Sequence, residues 1–313
     1  MSETFRAGTV ALVGRPNAGK STLLNALLGQ KLSIVSHRPQ TTRNRIVGVL
    51  TEDDFQAVLV DTPGLHRPKD RINKAMVGAA QDSLVGVDAT VWVVDARRVH
   101  ERVRDRKSAF HKGHTVIQQL IEERDSGTVI VALNKVDKVP RLQLLPILAA
   151  FSEHLPGVEL VPISALKNDG VSTVRDVIAR ALPEGPPLYP ADQLTDQSER
   201  FLVAELIREK IFHHTQQEVP YGTAVEVEEF TEHEAKDGHE RGFIQIFARV
   251  YVERDSQRGI LIGKGGSMLK TIGTEARADA ETLLGTRINL DLHVSVRKDW
   301  TRNPRVLRAL GLE

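Results

Sequence analysis

Gly14-Arg15-Pro16-Asn17-Ala18-Gly19-Lys20-Ser21 decides the fold. It fits G-x-x-x-x-G-K-[ST] and lies between a β-branched apolar run, Thr9 to Val13, and a helical pattern, Ser21 to Leu28. In a strand–glycine loop–helix unit, successive backbone N–H groups face a phosphate and the helix N-terminus adds its partial positive charge. Lys20 is placed to reach the β- and γ-phosphates. Ser21 offers a hydroxyl to Mg²⁺, and Thr22 continues the motif into the helix.

Outward from this loop, strand-like and helical segments alternate. Ile46 to Leu50 and Ala57 to Val60 are joined by the acidic turn Glu52-Asp53-Asp54, too short for anything but an antiparallel hairpin. Thr90 to Val94, Thr128 to Leu133 and Val158 to Ile163 read as further buried strands with helices between them. The pattern predicts an α/β domain over 6–181, a mostly parallel sheet with one antiparallel edge strand.

The remaining site residues sit at the ends of those strands. Asp61-Thr62-Pro63-Gly64 closes the run Ala57 to Val60: Asp61 can hold Mg²⁺ through water, and the Gly64 amide can meet a γ-phosphate. Thr42, in the polar stretch Thr41-Thr42-Arg43, supplies a second hydroxyl for the metal. Asn134-Lys135-Val136-Asp137 follows Leu133. The Asp137 carboxylate can accept both the ring N–H and the exocyclic amine of guanine, whereas adenine would leave it unpaired. Lys135 can lie over the base, Asn134 can tie its loop to the glycine loop, and Ser164-Ala165-Leu166 can supply a backbone donor to the guanine oxygen. Five motifs in this order describe a GTP site.

After the proline-rich stretch Leu182 to Pro190, read as part of a stiff linker over 182–195, the chain changes character. Asp196 and Glu199 read as a capping pair for a helix running to about His214. Strands around Thr223 to Glu229 and Gly242 to Val252, a short helix, Gly263-Lys264-Gly265-Gly266, a helix from Ser267 to Leu284 and an alternating strand from Ile288 complete an α-β-β-α-α-β order over 196–302. Residues 303–313 form a tail. Gly263 to Gly266 matches the G-x-x-G loop of KH domains, which clamps the backbone of unpaired RNA while an aliphatic groove, here expected from Ile260, Ile262 and Ile272, reads bases. Lys264 and Lys270 add charge.

The 313 residues carry 42 Lys+Arg and 41 Asp+Glu, a formal charge of +1 that by itself points away from a nucleic-acid partner. Resolved by region, Asp196 to Asp255 holds 7 bases and 14 acids, and Ser256 to Arg308 holds 10 and 5. The basic segment is the one bearing the glycine loop, as a phosphate-binding surface requires. Arg297, Lys298, Arg302, Arg305 and Arg308 could extend it. Absence of cysteine excludes disulfides, Cys-ligated zinc and thiol catalysis. Met1 to Arg6 lacks the pattern of a signal peptide, and no apolar run approaches the roughly 20 residues of a membrane span.

Taken together, the motifs resemble the Era family of bacterial ribosome-assembly GTPases, from about Gly8 to Gly311. The resemblance rests on Gly14 to Asn25, Gln40-Thr-Thr-Arg43, Asp61-Thr-Pro-Gly-Leu-His66, Ile262 to Gly266 and Thr271 to Arg277. It implies a type II KH domain and a GTP/GDP switch acting on the 3′ end of 16S rRNA in 30S assembly. GTP is then expected to order Thr41–Arg43 and Asp61–Ile72. The expected location is the cytoplasm, with a peripheral contact at the inner face of the cell membrane admitted; no oligomer is implied. The rival from another class is a GTP-dependent adaptor whose C-terminal domain binds a protein or membrane.

Where Ras-like proteins carry a water-orienting glutamine, this chain has Leu65, so slow intrinsic hydrolysis is expected. By resemblance to related GTPases with a hydrophobic residue there, Asn17 is the candidate to help coordinate K⁺ beside the phosphates. The alternative is a group from the RNA or ribosomal partner. Lys20, Thr42, Asn17 and Gly64 form the expected catalytic set; His66 reads rather as a solvated side chain. One departure from the family is a longer, basic connection between Asp95 and Asn134, read as a mobile loop, with an extra rRNA contact as the bolder reading. His100, His111 and His114 lie in it, without the carboxylate partners of a metal site.

Overall fold

A computed structural model describes residues 4–38, 41–65, 78, 81–123, 127–234, 242–298, 300–302 and 307. The chain divides into two compact units, the first dominated by segments up to Asp196 and the second by those from Gln197 onward.

The first unit holds a six-stranded sheet in the order β2-β3-β1-β4-β5-β6. Its strands are β1 (Arg6–Gly14), β2 (Ile46–Thr51), β3 (Phe55–Asp61), β4 (Ala89–Asp95), β5 (Thr128–Asn134) and β6 (Glu159–Ile163). Only the edge strand β2 runs antiparallel, through the expected hairpin to β3. Strands β3 and β4 are buried along their whole length, as a sheet covered on both faces demands. Helices α1 (Lys20–Leu28), α2 (Ala96–Arg104), α3 (Lys112–Glu123), α4 (Arg141–His154) and α5 (Val171–Ala181) follow the strands. Register carries the functional consequence. Leu12 pairs with Asp61, Gly14 with Val93, Asp95 with Asn134, and Asn134 with Ile163. The loops leaving β1, β3, β5 and β6 therefore gather at the carboxyl ends of the strands, where open α/β folds bind ligands.

Two features depart from expectation. The proline-rich stretch is docked along the sheet edge: Val49 N–H donates to Leu194 O at 2.7 Å, and the Gln56 carboxamide oxygen accepts from Leu188 and Tyr189 N–H. Covering β2 this way removes an edge that would otherwise invite pairing with another chain. The basic connection is not a mobile loop. Residues Ala96–Arg104 form α2, capped by Asp95, whose carboxylate accepts from Arg98 N–H at 3.2 Å.

The second unit begins with helix α6 (Glu199–His214). Its N-cap is Ser198, which accepts from Phe201 N–H, and not Asp196; the serine hydroxyl sits at the reach of a free amide in the first turn. Strands β7 (Ala224–His233), β8 (Phe243–Val252) and β9 (Arg287–Val296) form a sheet with β7/β8 antiparallel and β8/β9 parallel. Strand β7 runs four residues beyond the expected Glu229, past a bulge, because Phe230 to His233 still pair with β8 and Phe230 packs on the core. Helices α7 (Asp255–Ile262) and α8 (Ser267–Leu284) flank Gly263–Gly266. The core joins Val203, Leu206, Ile207 and Ile211 of α6 to Ile272, Ala276 and Ala280 of α8 over the inner face of β8.

Candidate nucleotide site and nucleic-acid interface

The three residues expected to hold a metal come together in the first unit. Ser21, at the start of α1, donates to Asp61 Oδ2 at 2.5 Å, and its hydroxyl lies 2.9 Å from that of Thr42. Ser33 adds a second donor to the same Oδ2 at 2.8 Å. The other carboxylate oxygen, Oδ1, is buried and has no hydrogen-bond partner. An orphaned carboxylate oxygen beside two hydroxyls is a donor set suited to a hard divalent cation such as Mg²⁺. Burial pushes the Asp61 carboxyl up, partly offset by Lys20 and the two serine hydroxyls. Burial likewise pushes the Lys20 ammonium down, partly offset by Asp61. Lys20 folds over the glycine loop, its Nζ within 3.4 Å of Gly14 O and 3.5 Å of Arg15 O.

Pro16, Asn17 and Ala18 complete the turn, with Asn17 held at φ 62°. Thr62 donates to Leu12 O, and Leu65 N–H donates to Gly14 O at 3.0 Å, tying the segment Thr62–Pro63–Gly64 to the glycine loop. The Leu65 side chain packs on the apolar cluster behind the sheet and has no polar group to offer a water. Gln40 and the residues from His66 to Ile72 lie outside the described residues.

The base-recognition residues form a connected network. Asn134 Nδ2 donates to Ala18 O at 2.9 Å, and Asn134 Oδ1 accepts from Lys135 N–H and Ala165 N–H. Gly19 makes this crossing possible, because a Cβ there would stand 2.2 Å from Asn134 Nδ2. Ser164 donates to Asp137 Oδ1 at 2.8 Å, fixing the carboxylate, while Leu166 is exposed. The backbone donor of Ala165 is thus directed at Asn134. Lys135 Nζ reaches both Asn17 O and Asp95 Oδ2, the latter at 2.7 Å. Ser33 and Asp95 were not singled out from the sequence. Asp95 left one signal, an acid ending an apolar strand; Ser33 left none, since only the fold brings it to Asp61.

In the second unit, Gly263, Gly265 and Gly266 all take positive φ (70°, 60° and 81°), a path that side chains rarely follow. Lys264, Gly265 and Lys270 are exposed and Ile262 is half-buried. Beside the loop lies an open groove lined by Gly266, Leu269, Lys270, Arg277, Leu290 and Leu292. None of the three expected groove residues lines it: Ile272 is fully buried in the core, Ile262 packs against that core, and Ile260 is half-exposed outside the groove. Helical period decides this. Positions 269, 270, 273 and 277 share the groove face of α8, while 272, 276 and 280 face the core. Arg297 lies over the Tyr251 ring; the side chain of Arg302 and residues Arg305 and Arg308 are outside the described residues.

Among the described residues, no helix is long and apolar enough to cross a membrane. Family models match both halves: "50S ribosome-binding GTPase" over residues 9–135 and "KH domain" over 218–301. The GTPase Era of Syntrophus aciditrophicus is 46% identical over 308 residues, 98% of this chain and 95% of the relative. That of a Geobacter species, strain M21, is 46% identical over 100% of both chains. Two solved structures of Era each superpose with TM-score 0.88 at 37% identity, covering 98% of this chain and 99% of theirs. One is an Aquifex aeolicus variant bound to GDP and AlF₄⁻; the other is a complex with MgGDPNP and nucleotides 1506–1542 of 16S ribosomal RNA. Since one continuous relationship at 46% identity takes in the glycine-loop unit and the KH unit alike, the chain belongs to the Era family of GTPases.

Proposed function

We propose that this GTPase is a nucleotide-driven switch whose KH domain binds single-stranded RNA, the 3′ end of 16S rRNA, during assembly of the 30S subunit. The observation that carries the proposal is the likeness, over 98% of the chain, to an Era crystallised with MgGDPNP and that RNA segment. The working boundaries are 6–181 for the GTPase domain, 182–195 for the docked linker, 196–302 for the KH domain and 303–313 for the tail, with a cytoplasmic location.

In this reading Gly14 to Thr22 wrap the phosphates and Lys20 meets the β/γ oxygens. Asp137, Asn134, Lys135 and the Ser164–Leu166 loop hold guanine. Ser21, Thr42 and Asp61 hold Mg²⁺, which when bound neutralises charge on the phosphates. Lys20 and Asp61 are each disfavoured as isolated buried ions, so an anion against one and a cation against the other are the partners that favour charge at both. Leu65 leaves water positioning to another group; Asn17, in the turn at the phosphates, is the residue assigned to a K⁺ ion doing that electrostatic work. RNA contacts fall to Ile262 through Gly266 and to Lys270. Titration with a single-stranded oligomer of the 16S 3′ end, with GTP or GDP bound, tests the reading. Equal, negligible binding in both states would defeat it.

A further inference from the structure

Helix α2 and the turn after it belong to neither the nucleotide site nor the KH groove, yet they concentrate charge. From Arg97 to Lys112 there are seven bases, five of them arginine, and two acids. Val99 is buried and Val103 packs on the core beneath, so an i, i+4 apolar stripe clamps the helix to the domain. The far end is fixed as well. Asp105, Arg106 and Lys107 N–H groups donate back to Glu101, Val103 and Arg102 carbonyls, and Arg106 takes φ 56° to end the helix. What remains outward is a ridge of Arg97, Arg104, Arg106 and Lys107, all exposed; Arg98 is exposed too but pairs with the buried Asp95 at 3.7 Å and is not part of the ridge.

We propose that this ridge is a second RNA-binding surface, which grips phosphates of the RNA beyond the stretch held by the KH loop. It rests on the reading that the partner is RNA. Arginine supports a phosphate ligand, since its planar fork bonds two phosphate oxygens at once. The ridge acids do not cancel it. Arg97–Glu101 at 3.9 Å, Arg104–Asp105 at 3.8 Å and Lys107–Asp105 at 3.6 Å are exposed pairs, of the kind worth about 0–1 kcal/mol and readily exchanged for phosphate. A helix built to lie on a membrane would turn large apolar side chains outward between its bases. Here both valines of α2 face inward, and none of the large exposed apolar residues falls between Ala96 and Lys107. A rigid, arginine-rich face without apolar anchors fits the sequence-independent term of nucleic-acid binding, carried by charge and counterion release.

The test compares the full chain with an Arg97→Gln/Arg104→Gln/Arg106→Gln variant, all three exposed and outside the nucleotide site. The probes are a full-length 16S rRNA transcript, a 3′-end oligomer of about ten nucleotides that only the KH loop need hold, and phosphatidylglycerol-containing vesicles. With three phosphate contacts removed, log Kd against log salt for the transcript flattens by about 2, and affinity near 0.1 M salt falls about tenfold or more. Oligomer and GDP affinities stay unchanged. Transcript binding equal to wild type in affinity and salt slope overturns the ridge while oligomer binding leaves the RNA reading standing. Loss confined to vesicles overturns it in favour of a membrane surface. A wild-type chain that binds neither RNA defeats the underlying reading itself.

Discussion

Asp95 joins two tasks that the sequence shows separately. Its carboxylate caps α2 through Arg98 N–H and holds Lys135 Nζ at 2.7 Å, and Lys135 in turn reaches the glycine loop at Asn17 O. Asp95→Asn keeps a capping oxygen and the side-chain shape but loses the charge opposite the ammonium. GDP affinity is expected to fall about tenfold, near 1.4 kcal/mol, with little change in thermal midpoint. Fluorescent-nucleotide titration decides the matter, and an unaltered Kd would show that Lys135 needs no anchor. Asn17 poses a separate question. If it coordinates K⁺, turnover is faster in K⁺ than in Na⁺ and Asn17→Ala abolishes that difference; equal rates in both salts, with a silent alanine, remove the ion from the mechanism. Asp61, Thr42, Asn134 and Asp137 were legible as residues because each ends a strand pattern or lies in a recognisable motif. The bonds from Ser33 and Asp95 were not, since both join segments far apart in sequence.

Helix α3 shows how an element sets the ionisation of a side chain. It carries His114 into an aromatic cluster with Trp92, Phe110 and Phe151, stacked on His111 at 4.0 Å, with Nδ1 buried and unpartnered. Burial, with the nearby His111, Arg15 and Arg102, lowers its pKa from 6.5 to about 3. The unfolded chain therefore takes up a proton that the folded one refuses. The resulting stability is fully present above pH 6.5 and drains as pH falls from there toward 3. Between about pH 6 and pH 5 the wild type should lose about 1 kcal/mol more than a His114→Phe variant, measured by urea unfolding in a Trp300→Phe background so that the fluorescence reports Trp92. Parallel pH dependences would mean that His114 takes up a proton as readily in the fold as in the unfolded chain. The three histidines gave no metal site from spacing alone; the packing role of His114 was hidden because the stretch leading into α3, Arg97 to Lys112, carries seven bases and reads as loop. Val99 and Val103 form a stripe too short to outweigh seven bases in a periodicity argument.

At the scale of the whole molecule, the formal +1 is a sum over regions of opposite sign, and the basic segment from Ser256 to Arg308 carries the KH loop. Gly263→Asp/Gly266→Asp is expected to abolish oligomer binding while leaving GDP affinity intact, because the loop and the nucleotide site belong to different units. Both glycines hold positive φ, so the double change also strains the turn. Lys264→Glu, exposed and free of that strain, should weaken the oligomer in the same direction; intact binding in both variants would place RNA elsewhere. Sequence by itself determined the order of the strands, the helices other than α2, the GTP motifs at the strand ends and the family, because strict residue spacing at a phosphate loop and a G-x-x-G turn leaves few alternatives. Tertiary structure alone decided which face of α8 lines the groove, how the proline stretch covers the β2 edge, why Asp61 keeps one oxygen without a partner, and that the basic insert is a clamped helix. Those outcomes depend on register, burial and long-range hydrogen bonds, which couple residues through space and leave no local trace in the chain.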